Sequence, residues 1–139
     1  MANEKNLLLV DDNEKYAKIL SDYFQKKNYS IDRAYDGKEA LEMLKKNGVD
    51  YYDIILTDIT MESQLAGLTF LKKARKMGYK GKTIIASTGF NYSIAMIFAP
   101  LFLNHLKVDY LIPKTSVLNH QIEFYPCKFL PKKEREVIL

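Results

Sequence analysis

From Tyr51 to Met61 the chain reads Tyr-Tyr-Asp-Ile-Ile-Leu-Thr-Asp-Ile-Thr-Met, a short apolar run cut off by an aspartate. A run this short, bounded by polar residues, reads as a buried strand of a parallel sheet rather than as a helix. Asp58 then stands at the carboxyl end of that strand. In open α/β sheets the ligand crevice lies outside this edge, so position alone makes Asp58 a candidate for chemistry.

The rest of the chain repeats the theme. Leu7-Leu8-Leu9-Val10 is a first strand, followed by a helical pattern from about Asn13 to Lys27 that puts Tyr16, Leu20, Tyr23 and Phe24 on one face. Tyr29 to Tyr35 is more polar, as suits an edge strand, and Asp36-Gly37 turns into a helix carrying Ala40, Leu41 and Leu44 that Asn47-Gly48 stops. After the Asp58 strand, Leu68, Leu71, Ala74 and Met77 mark a third helix that ends near Gly78, and Lys82 to Ser87 is a fourth strand. The segment from Tyr92 to Leu106 is helical in pattern and apolar on nearly every side, with a kink expected at Pro100. It reads either as extra core or as a partner or homodimer surface. Val108 to Ile112 is a fifth strand, and Ser116 to Tyr125 a fifth helix. Strands alternating with helices predict a doubly wound, five-stranded parallel sheet with right-handed crossovers and helices on both faces.

Composition narrows the function. A chain of 139 residues with 47% hydrophobic content fills about one domain with a real core. The longest apolar run, Ile94 to Leu103, contains Pro100 and is too short for a bilayer, so a soluble, cytoplasmic protein with no membrane contact is expected. Cys127 is the single cysteine, and with His105 and His120 scattered it offers no metal-ligand spacing. The net charge of +4 is too mild to imply nucleic-acid binding. The densest basic stretch, Lys72 to Lys82, reads as a solvated helix face and its loop, or as a docking patch for an acidic partner.

Four strand ends carry polar residues that an apolar strand has no packing reason to end on: Asp11 and Asp12, Asp58, Thr88, and Lys114. Each alone has a plain structural role. Asp11, Asp12 or Asn13 would cap a helix, Thr88-Gly89 would make a turn, and Lys114 would lie on the surface. Together, at the same edge, they are a site. Carboxylates brought that close need a cation, and an all-oxygen set suits Mg²⁺. A carboxylate sharing that metal can attack a phosphoryl group, with Asp58 the candidate nucleophile. Lys114 would pair with one phosphoryl oxygen and the Thr88 hydroxyl would donate to another.

Leu-Leu-Leu-Val-Asp11-Asp12, Asp53-Ile-Ile-Leu-Thr-Asp58-Ile-Thr-Met61, Ile-Ile-Ala-Ser-Thr88-Gly89 and Asp109-Tyr-Leu-Ile-Pro-Lys114 resemble the signature of the two-component response-regulator receiver domain, over roughly residues 5 to 118. The resemblance implies a flavodoxin-like strand order 2-1-3-4-5. It implies that Asp58 accepts phosphate from a histidine kinase or phosphotransfer protein, with Asp11, Asp12, Asp58 and the backbone carbonyl of Thr60 holding Mg²⁺. Such a chain is no enzyme beyond its own phosphorylation and autodephosphorylation. Thr88 would be the switch hydroxyl that remodels the fourth helix and fifth strand, a surface for partners or a homodimer. Thr60 and Phe90 match positions that tune autodephosphorylation.

The sequence departs from the family pattern at Glu62, which stands where proline is usual, at Gly67, at Pro113-Lys114-Thr115, and at Leu111, which holds the usual aromatic position while Tyr110 lies one residue earlier. A bulge would return Tyr110 to the switch; otherwise the coupling of hydroxyl and aromatic is absent. These departures support a second reading, a degenerate receiver that binds partners without phosphorylation. A phosphohydrolase with an Asp-x-Asp nucleophile is a third reading that Asp11-Asp12-Asn13 disfavours. Residues 1–125 are expected to form the receiver domain and 126–139 a C-terminal extension. The tail from Leu130 reads as a terminal helix, or by a short resemblance as the start of a helix-turn-helix output module.

Overall fold

The computed structural model describes residues 4–58, 66–87 and 107–126. In chain order they form β1 (Lys5–Val10), α1 (Glu14–Gln25), β2 (Tyr29–Ala34), α2 (Gly37–Asn47), β3 (Ile54–Asp58), α3 (Ala66–Lys76), β4 (Lys82–Ser87), β5 (Tyr110–Pro113), a single helical turn (Lys114–Val117) and β6 (Tyr125–Pro126). The sheet order is β2-β1-β3-β4-β5-β6. The first five strands are mutually parallel, as the strand and helix alternation predicts, and the polar second strand lies at an edge. The apolar segment 92–106, with Pro100, lies outside the described residues.

The starts of α1 and α2 each carry a chemical reason. The Asn13 side chain caps α1 by accepting from the backbone N–H groups of Lys15 and Tyr16 at 3.0 and 3.1 Å. Asp36 caps α2 by accepting from Glu39 N at 2.8 Å, while the Glu39 carboxylate accepts in return from Tyr35 N at 3.2 Å. Gly48, at φ 94°, ends α2 in a conformation that costs other residues strain.

The period of two along the strands sorts the core into two layers. Leu7, Leu9, Ile54, Leu56, Ile84 and Ala86 pack on the α1 side with Leu20 and Phe24. Leu8, Val10, Ile55 and Ile85 pack on the other side with Leu44, Phe70 and Leu71 of α2 and α3. β1 and β3 are therefore buried on both faces, which is why they read as unbroken apolar runs.

The expected helix from Ser116 to Tyr125 is replaced by one turn and a sixth strand. Ser116 and Val117 accept the turn's last backbone bonds from Asn119, His120 and Gln121, and His120 adopts φ 58°. Histidine tolerates that left-handed conformation better than most residues, and it redirects the chain. Beyond it Ile122 and Phe124 are buried at alternate positions, the period of a strand. β6 runs antiparallel to β5, with Tyr110 opposite Pro126 and Leu111 opposite Tyr125. The Phe124 ring meets Phe24 edge-on at 6.3 Å and Tyr110 at 6.1 Å, so three aromatics cover the face where a longer helix was expected.

Candidate functional site: an acidic cup at the sheet edge

Asp11 follows β1 directly, Asp58 is the last residue of β3, and Lys114 is the first residue after β5. β1 and β3 are neighbours, and the connections leave them toward opposite edges of the sheet. This is the switch point where a doubly wound sheet opens a crevice. Lys114 reaches the crevice from two strands away and is only 2% exposed. Its Nζ lies 3.0 Å from Asp58 Oδ2 and 2.5 Å from Asp11 Oδ2. Pro113, which precedes the lysine, keeps its place opposite Ser87 and does not prevent this reach.

The loop carrying the acids is held at several points. Asp11 N donates to Ala34 O at 3.0 Å, and Asp11 Oδ1 accepts from Asn13 N at 2.9 Å. Arg33 on β2 donates to the Asp11 carbonyl through Nε at 3.2 Å and Nη2 at 3.0 Å. Its Nη1 reaches Glu14 Oε2 at 2.8 Å, and its guanidinium lies 4.2 Å from the centroid of the Tyr35 ring. The Arg33 bond holds the Glu14 carboxyl below its ordinary pKa. Thr57, buried on β3, donates to the Asp58 carbonyl at 2.9 Å.

The fit for a cation rests on two observations. Asp11, Asp12 and Asp58 each offer a carboxylate oxygen, and these lie within 4.8 Å of one another. Asp11 Oδ2 is fully buried with no hydrogen bond of good geometry, its close neighbour being the Lys114 charge. Buried anionic oxygens with spare lone pairs, beside an exposed third carboxylate open to water, form a hard oxygen set of the kind Mg²⁺ takes.

The geometry thus brings together Asp11, Asp12, Asp58 and Lys114, four residues singled out in the sequence. Thr60, Glu62, Thr88, Gly89 and Phe90 lie outside the described residues. The bulge that would bring Tyr110 to the switch is absent: β4 and β5 pair without interruption from Ile84–Tyr110 to Ser87–Pro113. The part Arg33 plays at this edge escaped the sequence reading. It belongs to no motif, and it matters through the Asp11 carbonyl, 22 residues away along the chain.

Residues 7–100 match the family described as the response regulator receiver domain. The chain belongs to the receiver-domain family. Over 72 residues it is 35% identical to the transcriptional regulatory protein DltR of Streptococcus agalactiae, and over 60 residues it is 40% identical to ResD of Bacillus subtilis. These stretches take in 52% and 42% of this chain but only 30% and 23% of the two relatives, so the match reaches a minor part of their length. Among solved structures, a Francisella response-regulator receiver domain superposes with a TM-score of 0.64 at 27% identity, covering 81% of this chain and 85% of that one. The chemotaxis response regulator CheY4 of Vibrio cholerae shares the fold, with a TM-score of 0.65 at 20% identity over 84% of this chain and 94% of its own. The receiver domain is a signalling module of two-component systems, and the family and the strand order agree with the sequence reading.

Proposed function

We propose that this receiver takes a phosphoryl group onto Asp58 from a histidine kinase or phosphotransfer protein and hands the change to a partner or output surface. The observation that carries the reading is the buried Lys114 ammonium, shared between Asp11 and Asp58 at the carboxyl edge of the sheet. A buried ion cluster of this kind adds little net stability compared with apolar packing, which favours a role in exchange of partners.

In this reading Asp11, Asp12 and Asp58, with the Thr60 carbonyl, would hold Mg²⁺, which would supply neutralising charge to the carboxylate and the incoming phosphate. An Asp58 carboxylate oxygen attacks phosphorus in line with the phosphohistidine nitrogen. The O–P bond forms as the N–P bond breaks, and the electron pair leaves with the imidazole. Lys114 lets go of the Asp58 oxygen and pairs with a phosphoryl oxygen instead, and the Thr88 hydroxyl donates to another. The chain acts only on itself. The surface expected for partners or a homodimer, the fourth helix and fifth strand, includes β5, whose Tyr110 and Leu111 are already paired with β6, so at those two residues a partner meets side chains rather than open backbone. No helix among the described residues is long and apolar enough to cross a membrane.

A second reading, a receiver that binds partners without phosphorylation, draws on β5. Leu111 occupies the aromatic position of the family, while the Tyr110 ring meets Phe124 edge-on. One experiment separates the two. Purified chain incubated with Mg²⁺ and acetyl phosphate is expected to gain the mass of one phosphoryl group, and Asp58→Asn none. Absence of both this gain and a beryllofluoride adduct in the wild-type chain would leave only the second reading.

A further inference from the structure

The Lys114 ammonium has a third neighbour. Its Nζ lies 4.5 Å from the centroid of the Tyr16 ring, on the first turn of α1. Tyr16 is half-buried against the core layer on the α1 side, and its backbone N–H donates to Asn13 Oδ1 at 3.1 Å. Asn13 N in turn donates to Asp11 Oδ1 at 2.9 Å. The acidic loop, the helix cap and the ring therefore form one continuous unit beside the lysine.

We propose that Tyr16 is a positioning residue for Lys114, an inference that rests on the phosphoacceptor reading above. The two carboxylates touching Lys114 are the groups assigned to metal and phosphoryl chemistry, so both change partners when Asp58 is modified. The ring does not. A tyrosine face attracts a cation through its quadrupole, most strongly where water is excluded, and competes for neither metal nor phosphate. Tyr16 thus keeps the ammonium at the sheet edge while its anionic partner switches from carboxylate to phosphoryl oxygen. It also limits the side-chain freedom that a four-carbon stem would otherwise have to lose on each turnover.

Beryllofluoride binding to the Mg²⁺-loaded chain, followed by fluorine NMR, tests this. Tyr16→Leu is expected to weaken binding about ten-fold, and Tyr16→Phe to stay within about two-fold of wild type. The same Tyr16→Leu change made together with Lys114→Met is expected to have no further effect, because the ring acts only through the ammonium. Should Tyr16→Leu disturb folding, a series of increasingly fluorinated phenylalanines at position 16 keeps the ring shape while weakening its negative face. Affinity is expected to fall along the series. A flat series, or an equal loss with Lys114 present or replaced, overturns the proposal. A wild-type chain that takes no beryllofluoride would instead sink the phosphoacceptor reading, and this inference with it.

Discussion

The two ends of the sheet use charge in different ways. At the amino edge Arg75 donates to the carbonyls of Tyr79 and Gly81 at 2.9 and 3.0 Å, to Lys107 O at 3.0 Å and to Thr83 Oγ1 at 3.3 Å. Asp109 Oδ2 accepts from Thr83 N at 2.9 Å, and Asp53 Oδ2 from Asn6 N at 2.8 Å. These hydrogen bonds go to backbone or to a neutral hydroxyl, stitching loops to strand starts. At the carboxyl edge Lys114 faces Asp11 and Asp58, charge against charge. A charge bonded to backbone carbonyls has no mobile alternative partner, because the carbonyls belong to the fold. A charge bonded to another side-chain charge can exchange it for a metal ion or a phosphoryl oxygen. The first arrangement holds the domain together; the second leaves it able to respond.

That contrast predicts different responses to magnesium. Lys114→Met leaves two buried carboxylates facing each other and is expected to lose about 4 kcal/mol of stability in metal-free buffer. Added Mg²⁺ should return most of the loss, since an ion taken up by the three aspartates would bind the folded state and replace the missing charge. Denaturant melts with and without the ion measure both quantities. Arg75→Ala takes the cation away from the Tyr79, Gly81 and Lys107 carbonyls, of which Lys107 O keeps the Thr83 hydroxyl as a donor, and is expected to cost roughly 2–3 kcal/mol, with the same deficit at every Mg²⁺ concentration. If Mg²⁺ rescues Arg75→Ala as fully as Lys114→Met, the distinction between the two edges fails.

The smallest effect is a pH effect at the rim of the carboxyl edge. Arg33 holds the Glu14 carboxyl below its ordinary value of 4.5. A depressed carboxylate adds stability above its unfolded pKa and loses it as pH falls through the folded one. Glu14 is fully exposed, so the contribution is small. Glu14→Gln should sit slightly below wild type at neutral pH, and the two stability curves should converge in acid below the Glu14 pKa. Curves that stay parallel down to that range would place the Arg33 hold on the Asp11 carbonyl rather than on Glu14.

Much of the carboxyl edge was legible because strand termini are written locally: Val10-Asp11-Asp12 and Leu56-Thr57-Asp58 show where apolar runs stop. The amino edge was not. Arg75 was read as one cation of the basic stretch Lys72 to Lys82, and only folding separates it, half-buried, from exposed Lys72, Lys73 and Lys76. Its Lys107 partner lies 32 residues away and has no sequence signal, since any residue offers a carbonyl. The stretch after Val117 misled for a related reason. Its apolar residues suit a short helix about as well as a strand, and a contact with Phe24 and Tyr110 decided between them.

Periodicity and punctuation in the chain alone determined the layered α/β sheet, its polar edge strand and the carboxylates at its switch point. These depend on what each residue prefers beside its near neighbours. Tertiary structure alone decided that one ammonium would lie between Asp11 and Asp58 beside the Tyr16 ring, and that β6 would pair with β5 at the end of the sheet. Both are meetings of residues far apart along the chain, where geometry in three dimensions, not local preference, selects the partner.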